Sequence, residues 1–222
     1  MALARQLHQD GFALRHRRAA ETRAGILRAA EDLFARAGLD GARTEAIASA
    51  AGVNKALLYY YFKSKEDIYL AVLDSHRKAF LDRGLEILSQ KRPAATVLLE
   101  FVSAHFDFIS SHRHYPGLFQ RSMMGGGSRA AKIMGERIRP MAYKMAALLR
   151  RGMRDGEFRS FDVKHVALSL VGLTVFYFNA APIIQVVSGD DPFREENVQK
   201  RKREVLRFIR YALFRHPEEV AR

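Results

Sequence analysis

Asn54-Lys55-Ala56-Leu57, then Tyr59-Tyr60-Tyr61, then Lys65, gather hydrogen-bond donors in one short stretch, with Arg43 and Thr44 just upstream. A lysine ammonium group donates to the O6 and N7 of guanine or to a phosphate. Phenolic hydroxyls suit phosphate oxygens, and apolar Ala56 and Leu57 suit a thymine methyl. The other reading of the tyrosines is core packing, and Tyr61, on the Leu57–Leu58 side, is the most open to it. No nucleophile–base constellation is legible around these residues or elsewhere, and no cofactor fingerprint is.

These side chains need helices to present them. Thr44 can cap one, and Ala46, Ile47 and Ala50 follow at helical spacing. Gly52 suits a left-handed turn, and Asn54 can cap a second helix with Leu57, Leu58 and Tyr61 on one side. Two short helices joined by a tight glycine turn read as a helix-turn-helix over about 43–62. Neither is stable alone at this length. The support is a helix over Ala19–Ala37, whose apolar stripe is Ile26, Ala30, Leu33, Phe34 and Ala37, with Gly38 ending it.

Thr22-Arg23, Ile26-Leu27, Ala30, Leu33-Phe34, Gly38, Ile47-Ala48, Ala51-Gly52-Val53 and the run LYYYFKSKEDI from Leu58 to Ile68 resemble the TetR family of transcriptional repressors, in order and in spacing. The resemblance implies operator DNA contacts near Thr44, Lys55, Tyr59, Tyr60, Tyr61 and Lys65. It also implies a homodimer and a small-molecule inducer bound in the rear half; a cytoplasmic location is expected, in keeping with the absence of cysteine. Three positions depart from the family pattern. Arg43 stands at the usual cap, Ala56 stands where glycine is common, and Tyr61 stands where histidine is common.

Composition agrees with a nucleic-acid partner. The 222 residues carry a formal net charge of +13, and 48% are hydrophobic, enough for a well-formed core. The alternative for the charge is a solvated basic surface. With no cysteine, disulfides, thiolate catalysis and zinc–thiolate sites are excluded. No signal-peptide core is legible at the start. Residues 1–18 read as a polar, basic arm, which either lies along DNA or frays.

The expected fold is all-α with about nine helices: a helix-turn-helix domain over 19–66 and a ligand-binding and dimerisation bundle over 67–222. A connector helix from Ser64 to about Gln90 joins them, and another follows from Pro93 to about Ser111. His112–Gly117 reads as a turn, and Gly125–Ser128 as a flexible loop. Phe101, His105, Phe108, Phe119, Met123, Met124, Met145 and Tyr177 are candidates to line an apolar cavity; plain core packing is the alternative for each. His105, Asp107, His112 and His114 lack the spacing of a metal site. Val166–Val187 is long and apolar enough to span a bilayer, but Pro182 and Asn179 favour a buried subunit interface, so no membrane partner is expected. Val166, Leu170, Leu173 and Tyr177, with Val205, Ile209 and Leu213 of a last helix, are the candidate dimer contacts, and Gly172 permits close approach. Two other functions fit less well: a DNA-organising protein without an inducer, and a helical enzyme with an incidental basic front.

Overall fold

The computed structural model describes residues 2–124 and 129–219. Among these are ten helices and a single isolated β-bridge. Two compact units divide the chain, one ending at Ser75 and the other beginning at His76. That boundary lies within a helix and several residues later than the sequence suggests.

The front unit holds α1 (Ala2–Gly41), α2 (Thr44–Ala50), α3 (Lys55–Tyr61) and the first turns of α4 (Lys65–Leu88). The expected N-terminal arm is helical from Ala2, because Ala, Leu, Arg and Gln, which dominate it, are strong helix formers. Helical geometry is interrupted at Gly38, whose φ of 71° suits glycine. Ile26, Ala30, Phe34, Ile47, Leu58 and Ile68 are fully buried, and Phe34 meets Tyr69 edge-on at 5.0 Å. Ala37, expected on the buried stripe, is exposed.

Caps set the helix starts. Arg43, not Thr44, is the N-cap of α2, with an extended backbone and no side-chain bond to the helix end. Thr44 is already helical, and its hydroxyl donates to Glu45 at 3.3 Å. Asn54 does cap α3, its Oδ1 accepting from the Leu57 N–H at 2.7 Å. Gly52 turns the chain between the two helices at a φ of 67°.

The rear unit contains the rest of α4, α5 (Ala94–Ser111), α6 (Tyr115–Met124), α7 (Arg129–Arg154), α8 (Val163–Asn179), α9 (Ala181–Ser188) and α10 (Glu195–Leu213). The expected turn at His112–Gly117 is shorter than its composition suggests, since α6 already begins at Tyr115. Pro116 sits in the first turn of α6, where a missing N–H removes no helical bond. Pro93 leaves α5 without a side-chain cap. The Glu157 carboxylate supplies one instead, accepting from the N–H groups of Ala94 and Ala95 at 2.8 Å each. Next to Glu157, Phe158 stacks on Phe214 at 5.3 Å, and the two residues form the β-bridge.

The apolar segment expected as one helix is two, α8 and α9, bent by 61° at Ala180. No single helix among the described residues is long and apolar enough to cross a membrane. The Gly125–Ser128 loop lies outside the described residues.

Candidate DNA-reading surface and rear cavity

The capped start of α3 exposes Asn54, Lys55 and Ala56, and Arg43 is exposed before α2. Along α3, Leu58 is fully buried, so its neighbours turn outward: Leu57 is 37% exposed, Tyr59 42% and Tyr60 80%. Tyr61 is half-buried, with its ring edge-on to Tyr60 at 5.3 Å. Thr44 is half-buried at the start of α2. The outer face therefore carries a lysine, an arginine and two phenols around an apolar step, a set able to donate to phosphates and base edges.

Two residues behave differently from the sequence expectation. Lys65 is half-buried, and its Nζ donates to the carbonyls of Asp40 and Ala42 at 3.1 Å each. It closes the end of α1, which makes it a structural tie in this structure rather than an outward phosphate clamp. Lys55 donates to the carboxylate of Glu45 at 2.5 Å. That bond is the main reason the Glu45 carboxyl lies below its ordinary pKa and the Lys55 ammonium above its own. Sequence reasoning passed over Glu45, because the two residues meet only when the glycine turn folds α2 against α3.

In the rear unit a cavity of about 80 Å³ lies among α4, α5, α6, α7 and α8. His105, Phe108 and Phe119 line it as the sequence suggests. Arg77, Phe80, Leu81, Ile109, Tyr115, Ile138, Met141, Val171 and Val175 also line it and were not singled out. Phe80 stacks on Phe108 at 4.8 Å with the rings 14° from parallel. Phe101 stands behind this wall, 5.9 Å from the Phe80 ring, and Met145 is buried away from the cavity. Tyr177 is also outside it, with its ring under the Arg201 guanidinium at 5.4 Å. The side chains of Met123 and Met124 lie outside those described. Arg77 is 3% exposed and its Nη1 lies 2.8 Å from the Met134 sulfur. No periodic pattern in the sequence flags a buried cation at this position.

His105 is the imidazole of the cavity wall. Its Nδ1 lies 3.0 Å from the Thr174 hydroxyl, and burial pushes its pKa down to about 4. His105, Asp107, His112 and His114 do not converge on one point. The Asp107 carboxylate accepts from Lys202 at 2.6 and 2.8 Å, and the His112 Nδ1 lies 2.7 Å from the Phe108 carbonyl.

The candidate dimer contacts differ in exposure. Leu170, Val205, Ile209 and Leu213 are buried inside the chain and have little surface to offer a partner. Val166, Leu173 and Tyr177 are half-buried. The same helices instead expose Leu168, Val171 and Phe176 on α8 and Phe208 and Tyr211 on α10, and Gly172 is exposed beside Val171. Ile183, Val186 and Val187 continue this face on α9, which has no buried residue. A one-residue shift along a helix turns a side chain by about 100°, so the exposed apolar positions are near neighbours of the expected ones.

A capped helix with an outward basic and aromatic face, supported by two helices and followed by a helical bundle with a cavity, defines a helix-turn-helix DNA-binding protein. Residues 26–72 match the family described as bacterial regulatory proteins, tetR family, and residues 95–209 match the tetracyclin repressor-like C-terminal domain. The chain belongs to the TetR family and is a DNA-binding transcriptional regulator. Over 204 residues it is 28% identical to the HTH-type transcriptional regulator RutR of Escherichia coli, covering 88% of this chain and 94% of that one. It is 30% identical over 165 residues to the HTH-type transcriptional repressor SCO4008 of Streptomyces coelicolor, covering 73% and 79%. The fold matches that of AibR, crystallised with isovaleryl coenzyme A and operator DNA, with a TM-score of 0.70 and 14% identity over 83% of this chain and 96% of that one.

Proposed function

We propose that this protein is a homodimeric repressor that holds operator DNA through α3 and the start of α2, and releases it when a small, mainly apolar molecule fills the rear cavity. The observation that carries this reading is the course of α4. Its first turn is tied by Lys65 to the end of α1, and later turns of the same helix place Arg77, Phe80 and Leu81 on the cavity wall. A ligand that prefers one position of those rear turns shifts the population of α4 positions, and through α4 that of α3.

Homodimerisation is supported by the exposed apolar side chains of Leu168, Phe176, Ile183, Val186 and Phe208, which a twofold mate would remove from water. In a twofold dimer the two α3 helices must match half-sites about 34–36 Å apart, or a multiple of that, so a small movement of each breaks contacts. AibR, of the same fold, is crystallised with isovaleryl coenzyme A and operator DNA, which supports a fold that takes both kinds of partner, and SCO4008 is named a repressor, which supports repression. The direction of the switch, release on ligand binding, follows the family resemblance. The protein acts where its DNA is, in the cytoplasm.

The test has two parts. DNA from beside the protein's own gene is titrated first: one tightly bound site supports the repressor, and even coating of all DNA supports an architectural protein. Apolar compounds are then titrated with and without that operator. Coupling of about 1–3 kcal/mol is expected, and by linkage the operator weakens ligand binding by the same factor. Equal ligand affinity in both conditions refutes the switch, even for a compound that binds.

A further inference from the structure

Among the side chains that wall the rear cavity, His105 has hydrogen-bonding that is both incomplete and decidable. Its neighbours on the wall include apolar Phe80, Phe108, Phe119 and Val175, with Arg77 and Tyr115 also lining the cavity. Nδ1 is engaged with the Thr174 hydroxyl at 3.0 Å. Nε2 has no hydrogen-bond partner among the described residues.

Thr174 fixes which nitrogen carries the proton. Its Oγ1 also lies 3.1 Å from the Leu170 carbonyl and 2.9 Å from the Val171 carbonyl. A hydroxyl has one proton. If Thr174 donates to a carbonyl of α8, its oxygen is left to accept from His105 Nδ1–H, and two hydrogen bonds form. If it donates to His105 instead, only one does. The first arrangement leaves Nε2 unprotonated, with its lone pair toward the ligand space. Burial keeps the ring neutral down to a pH of about 4, so this acceptor persists at physiological pH.

We infer that the inducer carries a hydrogen-bond donor, a hydroxyl or an N–H, on an otherwise apolar body, and that His105 Nε2 is the acceptor that selects it. This rests on the cavity being the inducer site. A molecule of the same shape without the donor leaves the acceptor unpaired in the filled cavity. Thr174 is a positioning residue: it touches the imidazole and sets its tautomer.

The experiment is calorimetric titration of the full-length protein near neutral pH with phenol and toluene. The two differ by a hydroxyl against a methyl group. Phenol is expected to bind about tenfold or more tightly than toluene. In His105→Phe the preference for phenol over toluene is lost while toluene still binds. Thr174→Val keeps the imidazole but removes its hydrogen bond, and the preference weakens. Equal affinities of phenol and toluene in the native chain overturn the donor rule and leave the cavity standing as the inducer site. A phenol preference that survives both substitutions also overturns it. If neither compound binds the native chain, the donor rule and the cavity reading fall together.

Discussion

Glu45→Gln is expected to strengthen operator binding and to make it more sensitive to salt. In the free protein the Lys55 ammonium is held by the Glu45 carboxylate at 2.5 Å, on the surface that carries Tyr59 and Tyr60. Both partners are exposed, with side-chain exposures of 55% and 61%, so the pair adds little to folding. Its effect is on binding. An anion at the DNA face repels phosphate, and a lysine that stays paired releases no counterion. Freeing Lys55 adds about one phosphate contact, which steepens the slope of log K against log salt by about 0.9. Between about 50 and 200 mM salt the substituted protein therefore loses about 3.5-fold more affinity than the native one, starting from a tighter value at the low end. The assay is fluorescence anisotropy of a labelled operator titrated across that salt range. An unchanged or weaker affinity at low salt, with an unchanged slope, refutes the argument. Lys55→Ala is the companion: if Lys55 reads a base, specificity relaxes, and if it touches only phosphate, affinity falls evenly across sequences.

Gly152→Ala places a Cβ 2.3 Å from the fully buried Phe158 ring, so it should cost about 3 kcal/mol and lower Tm by about 2–4 °C for each kcal/mol. Gly135→Ala, with nothing within 4 Å, should raise Tm slightly, and equal melting of the two variants would refute the packing argument. Asn54→Ala removes the 2.7 Å cap of α3 and should cost about 0.5–2 kcal/mol in denaturant titrations, with weaker operator binding. His105 has a folded pKa of about 4, below its ordinary 6.5, so the unfolded chain takes up its proton first as pH falls. Stability is therefore lost between about pH 6.5 and 4, by up to about 3 kcal/mol, and a His105→Gln variant that keeps the native slope in that window would contradict this. Phe176→Glu puts a charge on the open apolar face of α8 and should yield a single-chain mass by light scattering where the native protein gives a dimer.

The sequence alone determines the helical class, the front helices and the face of α3 that turns outward. These depend on signals local in the chain: the Asn54 cap, the positive φ at Gly52, and an apolar repeat that buries Ile26, Ala30 and Phe34 and forces Leu58 inward. A cap and a stripe are decided within one or two helical turns, so they can be read from spacing. Tertiary structure alone decides the rest. Lys65 looks like a phosphate ligand until the end of α1 presents two carbonyls to it. Glu45 has no visible role until the turn brings it to Lys55. The break at Ala180 and the choice of Leu168 and Phe176 over Leu170 as the open face depend on which side of α8 the rest of the chain covers. The cavity wall draws on five helices, and the tautomer of His105 depends on a threonine 69 positions away. Contacts of that kind depend on how helices pack, and helical periodicity specifies which faces must be buried without naming the partner that buries each one.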